Sequence, residues 1–274
     1  MTRVALYQAQ TGIDPATNAS ALVAAVARAA AGGAAMLFTP EMSGLLDSER
    51  ERASRNVLAE DDDRTLAAVR EASAAHGLWV SLGSLALKGA DGRFANRGFV
   101  IDDRGEVRGR YDKIHLFDVD LPTGERWRES AAYRAGERAT IVPGTPVGTL
   151  GMTICYDLRF PALFERLAEA GADTIIVPAA FTVPTGVAHW HILLRARAIE
   201  AGVFVVAAAQ GGRHADGRAT FGHSLVVDPW GDVLLDMGEG DAPRLAFAEV
   251  DLARIAEVRA RVPAMSHRRS IPVI

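Results

Sequence analysis

The sequence predicts an α/β protein built from sheets flanked by helices. Short β-rich runs alternate with helical segments along the whole chain, the pattern of layered α/β folds. No low-complexity stretch or composition break interrupts that alternation, so residues 1–274 read as one domain. Hydrophobic residues make up 49% and charged residues 23%, which supplies apolar material for a sizeable core.

The elements follow in order. Val4–Gln8 reads as the first strand, and Ser20–Ala31 as a helix with Asn18 or Ser20 near its cap. Ala35–Phe38 is a buried strand that runs out at Thr39-Pro40-Glu41. A second helix is expected over Asp61–His76: its acidic start suits the positive end of the macrodipole, and Gly77 closes it. Strands are expected at Leu78–Ser84, Gly98–Asp102 and Val107–Tyr111, the last two joined by the turn-forming Asp103-Arg104-Gly105-Glu106. Leu116–Ala135 carries no regular pattern. Beyond it come a strand into Cys155, a helix near Pro161–Ala170, a strand at Thr174–Val177, a helix at Val187–Ala201 and a strand at Val203–Ala209. Gly222–Asp228 and Val233–Asp236 form a hairpin around Pro229-Trp230-Gly231, and Leu245–Val250 completes the strand set.

Composition excludes some functions. A net charge of −4 gives no electrostatic reason to expect nucleic acid or an anionic membrane as partner. The Ala-rich stretch Ala21–Ala31 carries Arg28 and is too short to span a bilayer, and Met1–Gln8 lacks the regions of a signal peptide. One cysteine cannot form an internal disulfide. The expected location is cytoplasmic.

That cysteine, Cys155, ends the apolar run Leu150-Gly151-Met152-Thr153-Ile154, with Pro161 opening a helix soon after. A thiol at a strand-to-helix junction can use backbone N–H groups and the helix's positive end, which suits a nucleophile; a small buried hydrophobe fits the same place. Glu41 and Lys113 also stand just beyond expected strands, where α/β proteins gather ligands. A carboxylate can take the thiol proton, and an ammonium can hold an oxyanion. Read singly, Glu41 also fits a solvated loop end and Lys113 a surface pair with Asp112.

Three segments carry a resemblance. Phe38-Thr39-Pro40-Glu41, Tyr111-Asp112-Lys113-Ile114-His115, and Gly151–Pro161 around Cys155 resemble, in order, the signature segments of the nitrilase or carbon–nitrogen hydrolase superfamily. The resemblance extends over nearly the whole chain. It implies a four-layer α-β-β-α sandwich, with copies pairing as a homodimer through the helices after the nucleophile segment. It also implies Glu41 as general base, Lys113 as oxyanion stabiliser with the Tyr156 backbone N–H, and Cys155 as nucleophile. Glu129, in Trp127-Arg128-Glu129-Ser130, matches the position of a further active-site glutamate that orients Lys113 and the substrate amide. The implied reaction splits a non-peptide C–N bond through a thioester, with no metal and no cofactor.

Within the superfamily, Thr185–Trp190, Leu194–Glu200, Ala207–His214 and the tail His267-Arg268-Arg269 look most like the branch that hydrolyses deaminated glutathione. The ω-amidase branch, acting on 2-oxoglutaramate, is the alternative; N-carbamoyl amino acids and nitriles are others. The expected partner is therefore a small amide carrying carboxylate groups. Arg159, Arg213 and His214 are the candidate carboxylate contacts, and Phe181 and Thr182 the candidate pocket walls. Arg195 and Arg197 read as interface or intrahelical partners beside Glu200. Three readings of other classes compete: a Cys-His protease with His189 or His191 as base, a metal hydrolase using His189-Trp190-His191, and a non-catalytic interaction protein on the same fold. The second is weakened because those histidines share a face only in extended chain, whereas their surroundings are helical.

Overall fold

A computed structural model describes residues 1–121, 124–239 and 243–273. The chain runs β1 (Thr2–Gln8), α1 (Pro15–Ala31), β2 (Met36–Phe38), α2 (Arg50–Asn56), α3 (Arg64–His76), β3 (Trp79–Lys88), β4 (Phe94–Ile101) and β5 (Val107–Asp112). A short hairpin follows, β6 (Asp118–Asp120) and β7 (Arg126–Arg128), then β8 (Thr140–Thr145) and β9 (Gly148–Met152). Next come α4 (Pro161–Glu169), β10 (Thr174–Ile176), α5 (Val183–Ala201) and β11 (Phe204–Ala207). The remainder is β12 (Gly211–Arg213), β13 (Ala219–Phe221), β14 (Leu225–Val227), β15 (Val233–Asp236), β16 (Arg244–Val250) and α6 (Ala253–Arg261).

Two six-stranded mixed sheets result, ordered β16-β1-β2-β3-β4-β5 and β15-β14-β11-β10-β9-β8. β1, β2 and β3 are mutually parallel, as are β9, β10 and β11; the outer strands pair antiparallel. The two-residue period of β1 divides its side chains between two cores. Val4 and Leu6 join Phe38, Val100 and Tyr111 in one buried cluster with Leu150, Met152 and Ile176 of the second sheet. Ala5 and Tyr7 point the other way, into a cluster with Leu22 and Val26 of α1 and Leu66 and Val69 of α3. On the far side, Gly151 lets α4 approach: a Cβ there would meet Leu167 at 3.3 Å. The order of layers is helix, sheet, sheet, helix, as expected.

Several expected boundaries shift, each for a local reason. α1 starts at Pro15, because the Asp14 carboxylate accepts from the Ala16 and Thr17 N–H groups and proline needs no acceptor. Asn18 is no cap; it is buried and ties Gly12 to Gly44. The acidic run Glu60–Asp62 forms a 3₁₀ turn, and Asp63 caps α3 through the Leu66 N–H. α2 has no buried residue and α6 buries only Ile255 and Val258, so neither presents an apolar stripe to read. Leu116–Ala135 is not wholly irregular: it holds the β6–β7 hairpin, while residues 122 and 123 lie outside the described residues. The β12–β13 hairpin was also unexpected, since three-residue strands carry too little alternation.

Gly83 marks where the sheets converge on the site. A Cβ there would lie 2.2 Å from the Thr39 carbonyl oxygen, 2.4 Å from that of Pro40 and 2.6 Å from the Pro178 side chain. Two of these obstacles are backbone of the segment leading to Glu41. Gly83→Ala should therefore lower unfolding free energy by roughly 1–3 kcal/mol and displace Glu41. Urea unfolding checks the first effect, and turnover per folded molecule the second.

Candidate active site

Lys113 follows β5 directly, Glu41 lies three residues past β2, and Cys155 three residues past β9. All three are buried, at 2%, 5% and 7% exposure. The Lys113 ammonium donates to Glu41 Oε1 at 2.9 Å and to Glu129 Oε2 at 2.8 Å. Its third N–H is uncommitted among the described residues. The other Glu41 oxygen accepts from the Ala180 N–H at 2.9 Å, which ties the first sheet to the segment after β10. Glu129 is fixed by the Phe117 N–H at 2.7 Å. Asn96 bridges the two acids, its amide donating to Glu41 at 2.9 Å and to Glu129 at 3.1 Å.

Cys155 has φ +49°, a left-handed conformation that costs a non-glycine residue about 1–3 kcal/mol. Its N–H donates to the Pro178 carbonyl at 2.9 Å, and its side chain lines the same cavity as Glu41 and Lys113, whose charges both act on the thiol. The 3₁₀ turn Cys155–Arg159 starts there, and the Tyr156 N–H makes no backbone hydrogen bond among the described residues. Asp157 holds the turn. Its buried carboxylate accepts from the Tyr111 hydroxyl at 2.7 Å, the His115 N–H at 3.0 Å, the His115 ring at 2.7 Å and the Ile154 N–H at 2.9 Å. Tyr111 and His115 flank Lys113, so one carboxylate locks the lysine strand to the nucleophile turn.

The charges follow from these contacts. Burial pushes the Glu41 carboxyl up, but the Lys113 ammonium and the hydrogen bonds from Lys113 and Ala180 outweigh it, and the net direction is down. Burial lowers Lys113, yet Glu129 and Glu41 hold it well above the ordinary lysine range. For Cys155, burial and then the Glu41 charge raise the thiol well above its ordinary value, against the pull of Lys113. The resting arrangement is a neutral thiol beside an ionised carboxylate and an ionised ammonium.

A cavity of about 490 Å³ opens onto these groups. Phe181 and Thr182, the two candidate wall residues, line it together with Tyr156, Phe117, Trp127 and Tyr133. Three expected carboxylate contacts do not reach it. The Arg159 guanidinium lies behind the wall, over the rings of Tyr156 and Phe181 at 5.9 and 5.7 Å, and donates to His189 Nδ1 at 3.2 Å. Arg213 is exposed and donates to the Gly217 carbonyl within its own turn. His214 is buried between the Thr11 carbonyl and the Thr220 hydroxyl, where burial lowers its pKa. Both sit on the β12–β13 hairpin, and neither lines the cavity.

That hairpin supplies Arg218 instead. It lines the cavity, pairs with Asp216 at 2.7 Å and stacks over Trp127 at 5.2 Å. Arg50, Arg126 and Arg128 also line the cavity, the last two paired with Asp120 at 3.5 and 2.8 Å. Asn96, Asp157 and Arg218 all escaped the sequence reading. For Asp157 the available signal was an acid between Tyr156 and Leu158; Asn96, which precedes Arg97, and Arg218 gave none. Arg197 pairs with Glu200 at 2.9 Å as expected, whereas Arg195 donates to the Gly231 carbonyl. Lys113 does not pair with Asp112, which is taken by Arg97 at 2.6 Å.

Comparison with known proteins agrees with this geometry. The sequence matches the carbon–nitrogen hydrolase family over residues 3–260. The chain belongs to that family. It is 40% identical to the deaminated glutathione amidase of Yersinia enterocolitica over 87% of this chain and 83% of that protein. The NitFhit protein of Caenorhabditis elegans superposes with a TM-score of 0.88 at 37% identity; 98% of this chain is covered, spanning 65% of that one. An amidase from Nesterenkonia sp. AN1 in complex with acrylamide gives a TM-score of 0.80 at 27% identity, with 98% of this chain and 94% of that chain covered. The protein is thus a carbon–nitrogen hydrolase with the nitrilase fold, and among the described residues no helix is long and apolar enough to cross a membrane.

Because Cys155 is the only cysteine, its ionisation can be read directly. The ultraviolet difference spectrum between wild type and Cys155→Ala should show no thiolate at neutral pH. Thiolate should emerge only above the ordinary thiol value of 9.0, since a raised pKa keeps the proton on as pH rises. A thiolate signal at pH 7 would contradict the neutral resting state.

Proposed function

We propose that this hydrolase is a cysteine amidase that cleaves a small carboxylate-bearing amide through a thioester, with deaminated glutathione as its favoured substrate. The reading rests above all on the buried Glu41–Lys113–Glu129 array set against the chain's single thiol in a cavity lined in part by arginines. Glu41 takes the Cys155 proton as Sγ attacks the amide carbonyl. The oxyanion is received by the third N–H of Lys113 and the Tyr156 backbone N–H, and Glu129 keeps Lys113 ionised and oriented. Glu41 then passes its proton to the departing amine as the C–N bond breaks. Water, deprotonated by Glu41, attacks the thioester, and the acid leaves as the thiol regains its proton.

The substrate choice is supported by the relatives named deaminated glutathione amidase and by the arginines that line the cavity. Deaminated glutathione carries carboxylates at both ends, and Arg218, preset by Asp216 and Trp127, faces the cavity to receive one. ω-Amidase action on 2-oxoglutaramate is the second reading; that substrate has the same 2-oxo acid end and needs the same cation. The enzyme works as a homodimer in the cytoplasm. The exposed Val187, Ile192 and Ile199 on α5 support pairing there, and a reduced thiol nucleophile suits a reducing compartment.

Two outcomes test this function. Cys155→Ala should keep the fold and abolish turnover, and intact-mass analysis of wild type mixed rapidly with substrate should reveal an acyl adduct on Cys155. Undiminished hydrolysis by the alanine variant would sink the mechanism. Compared by kcat/KM, deaminated glutathione should exceed 2-oxoglutaramate, an N-carbamoyl amino acid and a simple nitrile. Arg218→Gln should raise KM for the carboxylate-bearing amides about tenfold while sparing a neutral amide. An equal loss on both would remove Arg218 from substrate recognition.

A further inference from the structure

Away from the cavity lining, three metal-binding side chains from separate elements meet behind one cavity wall. His191 lies on α5, His223 between β13 and β14, and Asp236 ends β15. His191 Nε2 is 3.0 Å from Asp236 Oδ2, and His223 Nδ1 is 2.9 Å from Asp236 Oδ1. One donor atom from each residue lies within 4.8 Å of the other two. We propose that these residues form a site for one divalent transition-metal ion of the zinc class, separate from the amidase chemistry.

The donor set fits that class. Two imidazoles and a carboxylate are ligands for zinc and its neighbours, whereas calcium and magnesium demand oxygen. Bonds of about 2.0–2.1 Å in a tetrahedron put neighbouring donors about 3.3 Å apart. Both imidazoles already approach one oxygen, Asp236 Oδ2, at 3.0 and 3.1 Å, and all three donor atoms lie within 4.8 Å of one another, so the rings and carboxylate must shift to close around an ion. Each imidazole then binds through the nitrogen that now faces Asp236, with its proton carried on the other ring nitrogen or released. Three protein ligands leave a fourth position for water.

The ligands are held in place independently of an ion. The Gly238 N–H donates to Asp236 Oδ1 at 2.8 Å, which orients the carboxylate. The His223 ring stacks on Phe221 with centroids 4.4 Å apart, and His191 meets the His223 ring edge-on at 4.8 Å. The His223 backbone is pinned on both sides, its N–H to Gly238 and its carbonyl to the Trp190 indole. All three side chains keep solvent access, at 36%, 18% and 32% exposure for His191, His223 and Asp236.

The position gives the ion a consequence. α5 begins at the cavity residues Thr182 and Thr185, and Phe221 follows the cavity residue Thr220. The Phe221 N–H donates to the Phe181 carbonyl at 2.9 Å. An ion on His191, His223 and Asp236 fastens α5 to the β14–β15 hairpin directly behind this wall. It acts as a staple for the substrate pocket.

Zinc titration of the full chain tests the proposal, carried out in the Cys155→Ala background to remove the thiol as a competing ligand. Calorimetry should give one zinc per chain, and cobalt should give the intense visible spectrum of a four-coordinate site. Zinc should also raise the thermal midpoint. His191→Gln and Asp236→Asn should each weaken zinc about 100-fold and cancel the thermal shift. His223→Asn should do the same, asparagine being chosen because it tolerates the φ of +52° at that position. His189→Gln, on the same helix, should bind as the parent does. Zinc binding unchanged in His191→Gln, or no saturable binding by the parent, overturns the site.

Discussion

The buried Lys113 ammonium, held between the Glu41 and Glu129 carboxylates, is the interaction on which the site depends. An amine at 2% exposure has lost its hydration, and only nearby negative charge compensates. Removing one member of such a buried set typically costs about 3–5 kcal/mol, because an unpaired charge is left behind. The same interaction fixes geometry. Its three members come from the ends of β2 and β5 and from the segment after β7, so ionising them correctly also aligns these chain segments.

Electrostatic order alone would not aim the sulfur. That falls to the backbone, which holds Cys155 in a strained left-handed turn against the Pro178 carbonyl. Asp157 offsets the strain by gathering donors from the lysine segment and from the turn itself. The absence of a side chain at Gly83 allows the two sheets to close around the segment preceding Glu41. Rigid packing, rather than a flexible approach of side chains, thus brings acid, amine and thiol together. Preorganisation of this kind removes reorganisation cost from the proposed reaction.

Recognition is distributed differently. The charged array grows from strands or from segments anchored to them, whereas much of the cavity lining comes from residues 42–57, which include α2, and from the β6–β7 and β12–β13 hairpins. Arg218 and Trp127, one from each hairpin, meet over the cavity. Loops of this sort can change without disturbing the sheets, which is how one hydrolase fold serves many amides.

Sequence by itself determined the alternation of elements and hence the layered α/β class, because two-residue and helical periods are local properties. It also determined the site's chemical inventory: Glu41, Lys113, Glu129 and Cys155 lie in short segments whose resemblance to a known family is legible one segment at a time. Tertiary structure alone decided which cations reach the cavity. Arg159 and His214 were plausible by position yet serve packing, while Arg218, in a turn with no readable pattern, faces inward. The bridging of Glu41 and Glu129 by Asn96, and the meeting of His191, His223 and Asp236, are of the same kind. Contacts between residues tens of positions apart depend on how twisted sheets and hairpins stack, and periodicity carries no record of that.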